Sequence, residues 1–177
     1  MIITGFEDEI RGFFATARNI DEKVQLVKRQ IQKSVSTPQK IANLRKIVGE
    51  ILAQTPCRQK DYKCYLKHIL EWVRANIKYV RDPEGLDTFQ TAQRTLELGI
   101  ADCDDFTILI ASMLIVIGIP VLLKIVSTDG ITYSHIYPLA GLPPQEPTEW
   151  IAMDATVPKP LGYEATHKIK KQKVYFL

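Results

Sequence analysis

From Phe106 to Leu123 the chain carries no charged side chain, and the tetrapeptide Asp102-Cys103-Asp104-Asp105 stands just before that stretch. Its length approaches the roughly 20 apolar residues of a membrane span. Gly118 and Pro120 argue against one. Pro120 interrupts a helix and biases Ile119 toward extended backbone, and a spanning helix needs continuity. The remaining reading is a buried helix of about three to four turns, a sharp turn at Gly118-Ile119-Pro120, and a core strand from Val121 to Thr128. A helix apolar on all sides must be surrounded, so the rest of the chain has to wrap around it.

A chain of 177 residues suits one domain with one core. With 46% hydrophobic and 24% charged residues, the composition is that of an ordinary globular protein. A net charge of +3 is too small to point to nucleic acid. The opening MIITGFEDEI is acidic and has neither a basic start nor a cleavage-site pattern. The expectation is a cytoplasmic site of synthesis. Three cysteines, an odd number, argue against a disulfide scaffold.

Upstream of the apolar stretch the pattern is helical. Ile20, Val24, Val27, Ile31 and Val35 form one stripe, with Lys23, Lys28 and Lys33 largely off it. Thr37 is an N-cap before Pro38, and Ile41, Leu44, Val48 and Ile51 form a second stripe. A third helix starts near Asp61 and runs through Tyr62, Leu66, Ile69, Val73 and Ile77. A short one spans Thr91 to Leu98 and stops at Gly99. Downstream the period changes. VLLKIVST, ITYSHIYPL and TEWIAMDAT read as strands, the first two joined at Asp129-Gly130. Helices followed by a small antiparallel sheet give an α+β fold. Residues 1–60 form a helical extension, 61–160 the core and 161–177 a lysine-rich tail, all in one compact unit. The run KIKKQK reads as a solvated face or an edge strand.

The chemistry gathers at the start of the apolar helix. With Asp102 as N-cap and Asp105 three residues on, both acids can accept free N–H groups of the first turn. Cys103 then takes the first helical position, where the macrodipole stabilises an anion and lowers a thiol pKa. The acids pull the other way, so the thiol needs a cationic partner. His135 lies mid-strand, and Asp154 ends the following strand. If those strands pair antiparallel, Asp154 can meet His135. Cys103, His135 and Asp154 are then nucleophile, base and orienting carboxylate.

The segments LGIADCDDFTILIASMLIVIGIPV, SHIYPL and EWIAMDAT resemble the three core motifs of the transglutaminase-like superfamily of papain-type cysteine enzymes. The match is strongest to bacterial and phage-encoded members and covers about residues 61–160. The resemblance implies a cysteine at the start of a central helix packed on an antiparallel sheet. It maps the nucleophile to Cys103, the base to His135 and the third member to Asp154. It also implies acyl-transfer chemistry on peptide or protein amides through a thioester, without cofactor or metal. Ala101 stands where the family has glycine, and Pro138 interrupts the histidine strand. Gln90 and Gln93 are both candidates for a second oxyanion donor beside the Cys103 N–H. The alternative function is an assembly component of a phage tail or head, with the triad vestigial or used only in assembly, other particle proteins as partners, and incorporation into a virion. Calcium-dependent crosslinking finds no acidic loop of ligand spacing to support it. Cys57, Cys64 and His68 could form a metal clip, but their spacing fits no standard zinc pattern. Two unrelated cysteines are the simpler reading.

Overall fold

The structure, a computed structural model, describes residues 19–83 and 87–177. The acidic opening segment lies outside them. Five helices and a four-stranded antiparallel sheet account for most of the described chain: α1 Ile20–Ser34, α2 Pro38–Ala53, α3 Tyr62–Asn76, α4 Ala92–Leu98, α5 Cys103–Val116, β3 Val121–Ser127, β4 His135–Leu142, β5 Glu149–Ala152 and β6 Lys171–Phe176. Two short parallel strands, β1 Lys78–Tyr79 and β2 Ile100–Ala101, lead into α5.

The helix starts follow from local chemistry. Asn19, Thr37, Asp61 and Thr91 each accept a backbone N–H of their helix's first turn, and Pro38 fills a position where no donor is needed. Gly99 ends α4 at φ 66°, in the left-handed region. Its N–H closes on Thr95 and its carbonyl accepts Lys78, so one glycine ends a helix and starts β2.

Helix α5 lies at the centre. It packs on α1, α2, α3 and α4 on one side and on β3 and β4 on the other. That explains its composition: Ile108, Leu109, Ile110, Ala111, Met113 and Leu114 are fully buried on every side. Its Ser112 hydroxyl is satisfied within the helix on the Ile108 carbonyl. No described helix is long and apolar enough to cross a membrane.

The sheet order is β5-β4-β3-β6. Ile136 and Ala140 of β4 face α5, whereas Tyr137 and Leu139 join a second, smaller cluster on the other face with Leu122 and Val126. Pro138 does not interrupt β4, which runs on to Leu142. The Pro138 carbonyl accepts the Met153 N–H just past the end of β5, so its nitrogen faces that side as well and β3 loses no bond. The β3–β4 link is longer than a two-residue hairpin. Asp129 Oδ1 accepts the Ser127 hydroxyl and the N–H groups of Ile131 and Thr132, folding the loop on itself. The lysine-rich segment forms β6 on the outer edge of β3, and the Tyr175 hydroxyl donates to Asp21, tying β6 to α1.

The expectation of unbridged cysteines is corrected: Cys57 and Cys64 form a disulfide. Lys60 turns through the left-handed region at φ 63°, and its N–H donates to the Tyr65 hydroxyl, which folds the chain back on the start of α3. Nothing in the residue spacing signalled that turn. With both sulfurs bonded to each other, the metal-clip reading of Cys57, Cys64 and His68 falls away.

Candidate active site

Asp102 caps α5. Its Oδ1 accepts the N–H groups of Asp104 at 2.8 Å and Asp105 at 3.0 Å, and Asp105 Oδ2 accepts the Asp102 N–H at 3.5 Å. This is the reciprocal capping box that the sequence predicts. Asp105 Oδ1 also accepts the Gln90 N–H at 2.7 Å, pinning the approach to α4 against the helix start. Burial raises Asp105 to about 7 and pushes Asp102 up as well, with neighbouring carboxylates adding to the rise. Asp102→Ala is expected to cost about 1 kcal/mol in urea unfolding through the lost cap, and Asp102→Asn to keep most of it. Equal stability of the Ala variant and the parent would remove the capping argument.

Cys103 is the first residue of α5 and is partly buried. It sits off the end of β4, beside Ile136, whose backbone amide favours the anion at the sulfur. Thr107 fixes that placement: its hydroxyl lies 2.7 Å from the Cys103 carbonyl and 3.2 Å from the Ile136 carbonyl. Cys103, Ser134, His135 and Ile136 border one cleft of about 10 Å³, closed on the other side by Ile20, Lys23 and Tyr133. The thiolate expected from the helix position is not favoured in this arrangement. Burial, then Asp104 and Asp102, push the thiol well above its usual value, and Lys23 and the Ile136 N–H only partly offset them.

His135 opens β4, its ring centroid 5.5 Å from that of Tyr137, and it also borders the Cys103 cleft. Its Nε2 lies 2.7 Å from Asp154 Oδ2, which leaves Nδ1 as the second ring nitrogen. The β4–β5 register places Asp154 opposite Tyr137 and diagonal to His135, within reach of long side chains. Thr156 holds the other carboxylate oxygen, its N–H at 2.9 Å and its hydroxyl at 2.6 Å. Burial works against the Asp154 charge, but His135 and Thr156 outweigh it and hold the carboxyl below its usual value. Arg74 of α3 donates to the Asp154 and Lys159 carbonyls and braces the loop that carries the acid.

Beside the His135–Asp154 pair opens a pocket of about 300 Å³. Its walls include Val126, Tyr137, Val157, Tyr163 and Ile169. In its wall Glu164 accepts both the Tyr137 hydroxyl and the Lys124 ammonium. Of the oxyanion candidates, Gln93 is committed elsewhere, its side-chain amide donating to the Ser34 carbonyl. Gln90 is buried with its Oε1 unpaired, and neither glutamine borders the Cys103 cleft. Asp102, Cys103 and Asp104 each bring a ligand atom within 4.8 Å of the others. The cation the structure puts against that group is the Lys23 ammonium, 2.7 Å from Asp104 Oδ2. Lys23, Thr107, Thr156 and Arg74 were not singled out from sequence; only Lys23, a lysine at the edge of an apolar stripe, left a trace there.

The sequence profile of the transglutaminase-like superfamily matches residues 50–155. The chain belongs to the transglutaminase-like superfamily. Among solved structures, this transglutaminase-like chain is similar to LapG of Legionella pneumophila in its EGTA-treated form. The TM-score is 0.54 at 15% identity, over 85% of this chain and 84% of that one. A second LapG structure gives 0.53 at 15% identity, over 85% and 87%. At that identity the likeness concerns the fold. No curated protein matches in sequence.

Proposed function

We propose that this protein is a cysteine-dependent amide hydrolase or acyl transferase, with Cys103 as nucleophile, His135 as base and Asp154 as the carboxylate that orients it. The observation that carries this reading is the 2.7 Å contact of His135 Nε2 with Asp154, beside a cleft that Cys103 also borders. Asp154 accepts the Nε2 proton and fixes the tautomer, so Nδ1 is the nitrogen that takes the thiol proton. The thiolate attacks the amide carbon, and His135 returns the proton to the departing amine. Water or a second amine then resolves the thioester. The Cys103 N–H, at the positive end of α5, is placed to meet the developing oxyanion. A peptide or protein substrate suits the fold, and the 300 Å³ pocket has room for an apolar side chain next to the scissile bond. No observation favours the assembly reading.

The test is covalent capture. A peptide bearing an acyloxymethyl ketone is expected to form a thioether at Cys103, located by mass spectrometry of the digest. His135→Ala should slow capture severely. Capture that proceeds equally in the His135 variant, or none in a folded wild-type protein, would overturn the reading.

A further inference from the structure

Lys23 belongs to α1, outside the residues 50–155 that carry the family match. Its ammonium nevertheless reaches Asp104 Oδ2, in the first turn of the helix that Cys103 begins, and its side chain borders the Cys103 cleft. Asp87 lies 3.8 Å from the ammonium and the Phe89 ring centroid 5.8 Å. Asp104 is wholly buried, neither of its carboxylate oxygens has an aligned hydrogen-bond donor, and the Lys23 ammonium is the cation within ion-pair distance among the described residues. Burial works against the charge on Lys23, but Asp104 outweighs it and keeps the lysine protonated.

We infer that Lys23 is a positioning residue for Cys103, an ammonium lent by the N-terminal helix that offsets part of the Asp104 charge and makes the thiolate less costly than it would otherwise be. The inference rests on the reading of Cys103 as nucleophile. The groups facing that sulfur are few. Its own helix offers Asp102 and Asp104, β4 offers His135 and the Ile136 N–H, the preceding loop offers Tyr133, and α1 offers Lys23 with Asp87 behind it. Asp105 is turned toward Gln90. Among these, Lys23 carries the permanent positive charge. An opposite charge within about 4–6 Å shifts a pKa by roughly one to three units, enough to decide whether a thiol is mostly neutral or mostly ionised near its midpoint.

Removing Lys23 alone gives no clean answer. Asp104, left buried and unpaired, would take up a proton, and its repulsion of the sulfur would vanish together with the attraction of the lysine. The experiment is therefore a cycle in the full chain, reading the iodoacetamide rate at Cys103 against pH. Asp104→Asn should move the midpoint of the profile down. Adding Lys23→Met in that background should move it back up by about one unit or more, a roughly tenfold loss of thiolate below both midpoints. Adding Lys23→Arg instead should leave it where Asp104→Asn put it. If the Lys23→Met/Asp104→Asn profile coincides with that of Asp104→Asn, the lysine is only a structural ion pair and the inference is overturned, whatever the melting temperatures do. A shifted profile in a protein without amide hydrolysis keeps the lysine's role and removes the hydrolase. An active enzyme with an unshifted profile does the reverse.

Discussion

His135→Ala is expected to lower the rate of amide hydrolysis by roughly 10²–10⁴-fold, the range a positioned general base contributes. The thiol of Cys103 is pushed up by burial and by Asp104 and Asp102, so without a base few sulfurs are ionised near neutral pH. Asp154→Asn should also cost activity while leaving the fold intact. The amide can still accept a bond at one oxygen, but it loses the charge that stabilises imidazolium, and it can turn its NH2 toward the ring. Rates measured on a peptide amide, normalised to folded protein by circular dichroism, check both. An alanine variant within about threefold of wild type would exclude His135 as the base.

Stability should fall as pH rises from about 4 to 8, the opposite of most acid-rich surfaces. An unfolded Asp105 releases its proton near its ordinary value of 3.8, while the folded one keeps it to about 7. Between those points the folded state holds a proton that the unfolded state has lost. The contribution is therefore complete below about pH 4 and gone once pH has passed 7. Three units correspond to about 4 kcal/mol, an upper figure for one group. Asp102, raised in the same direction, adds to the slope. Asp154 works the other way: its carboxyl sits below the usual value, so its contribution is present above about pH 4 and lost in stronger acid. The maximum should lie near pH 4–5. Urea midpoints at pH 5 and pH 8 for wild type and Asp105→Asn test this, with the slope expected to flatten in the variant. The same fall in both proteins would place its origin elsewhere.

Much of this site can be read from residue order alone. Asp102, Cys103 and Asp105 obey a local rule: a capping box needs only residues three apart, and the structure contains it. The meeting of His135 with Asp154 needed one further assumption, antiparallel pairing, and it holds with a diagonal offset that strand ends too loosely marked could not supply. What escaped are contacts made across the fold. Arg74 lies far from Asp154 in sequence, and Lys23 farther still from Asp104. No periodicity links such pairs, because each depends on how α1 and α3 pack around α5. The Cys57–Cys64 bridge escaped for a different reason. It hangs on Lys60 adopting a left-handed backbone, which a lysine does not advertise.

The lysines near the C-terminus have a consequence for solubility. Strand β3, Val-Leu-Leu-Lys-Ile-Val-Ser, is buried along its whole length. On one side it pairs with β4 and on the other with β6. Were β6 absent, β3 would present an open ladder of N–H and C=O groups on an apolar strand, a ready template for the same strand of another molecule. With β6 in place the sheet ends instead on a strand bearing Lys171 and Lys173, whose charges repel a copy of themselves. The segment that reads as a basic tail thus covers the open edge of β3 and ends the sheet on lysines, which works against edge-to-edge pairing.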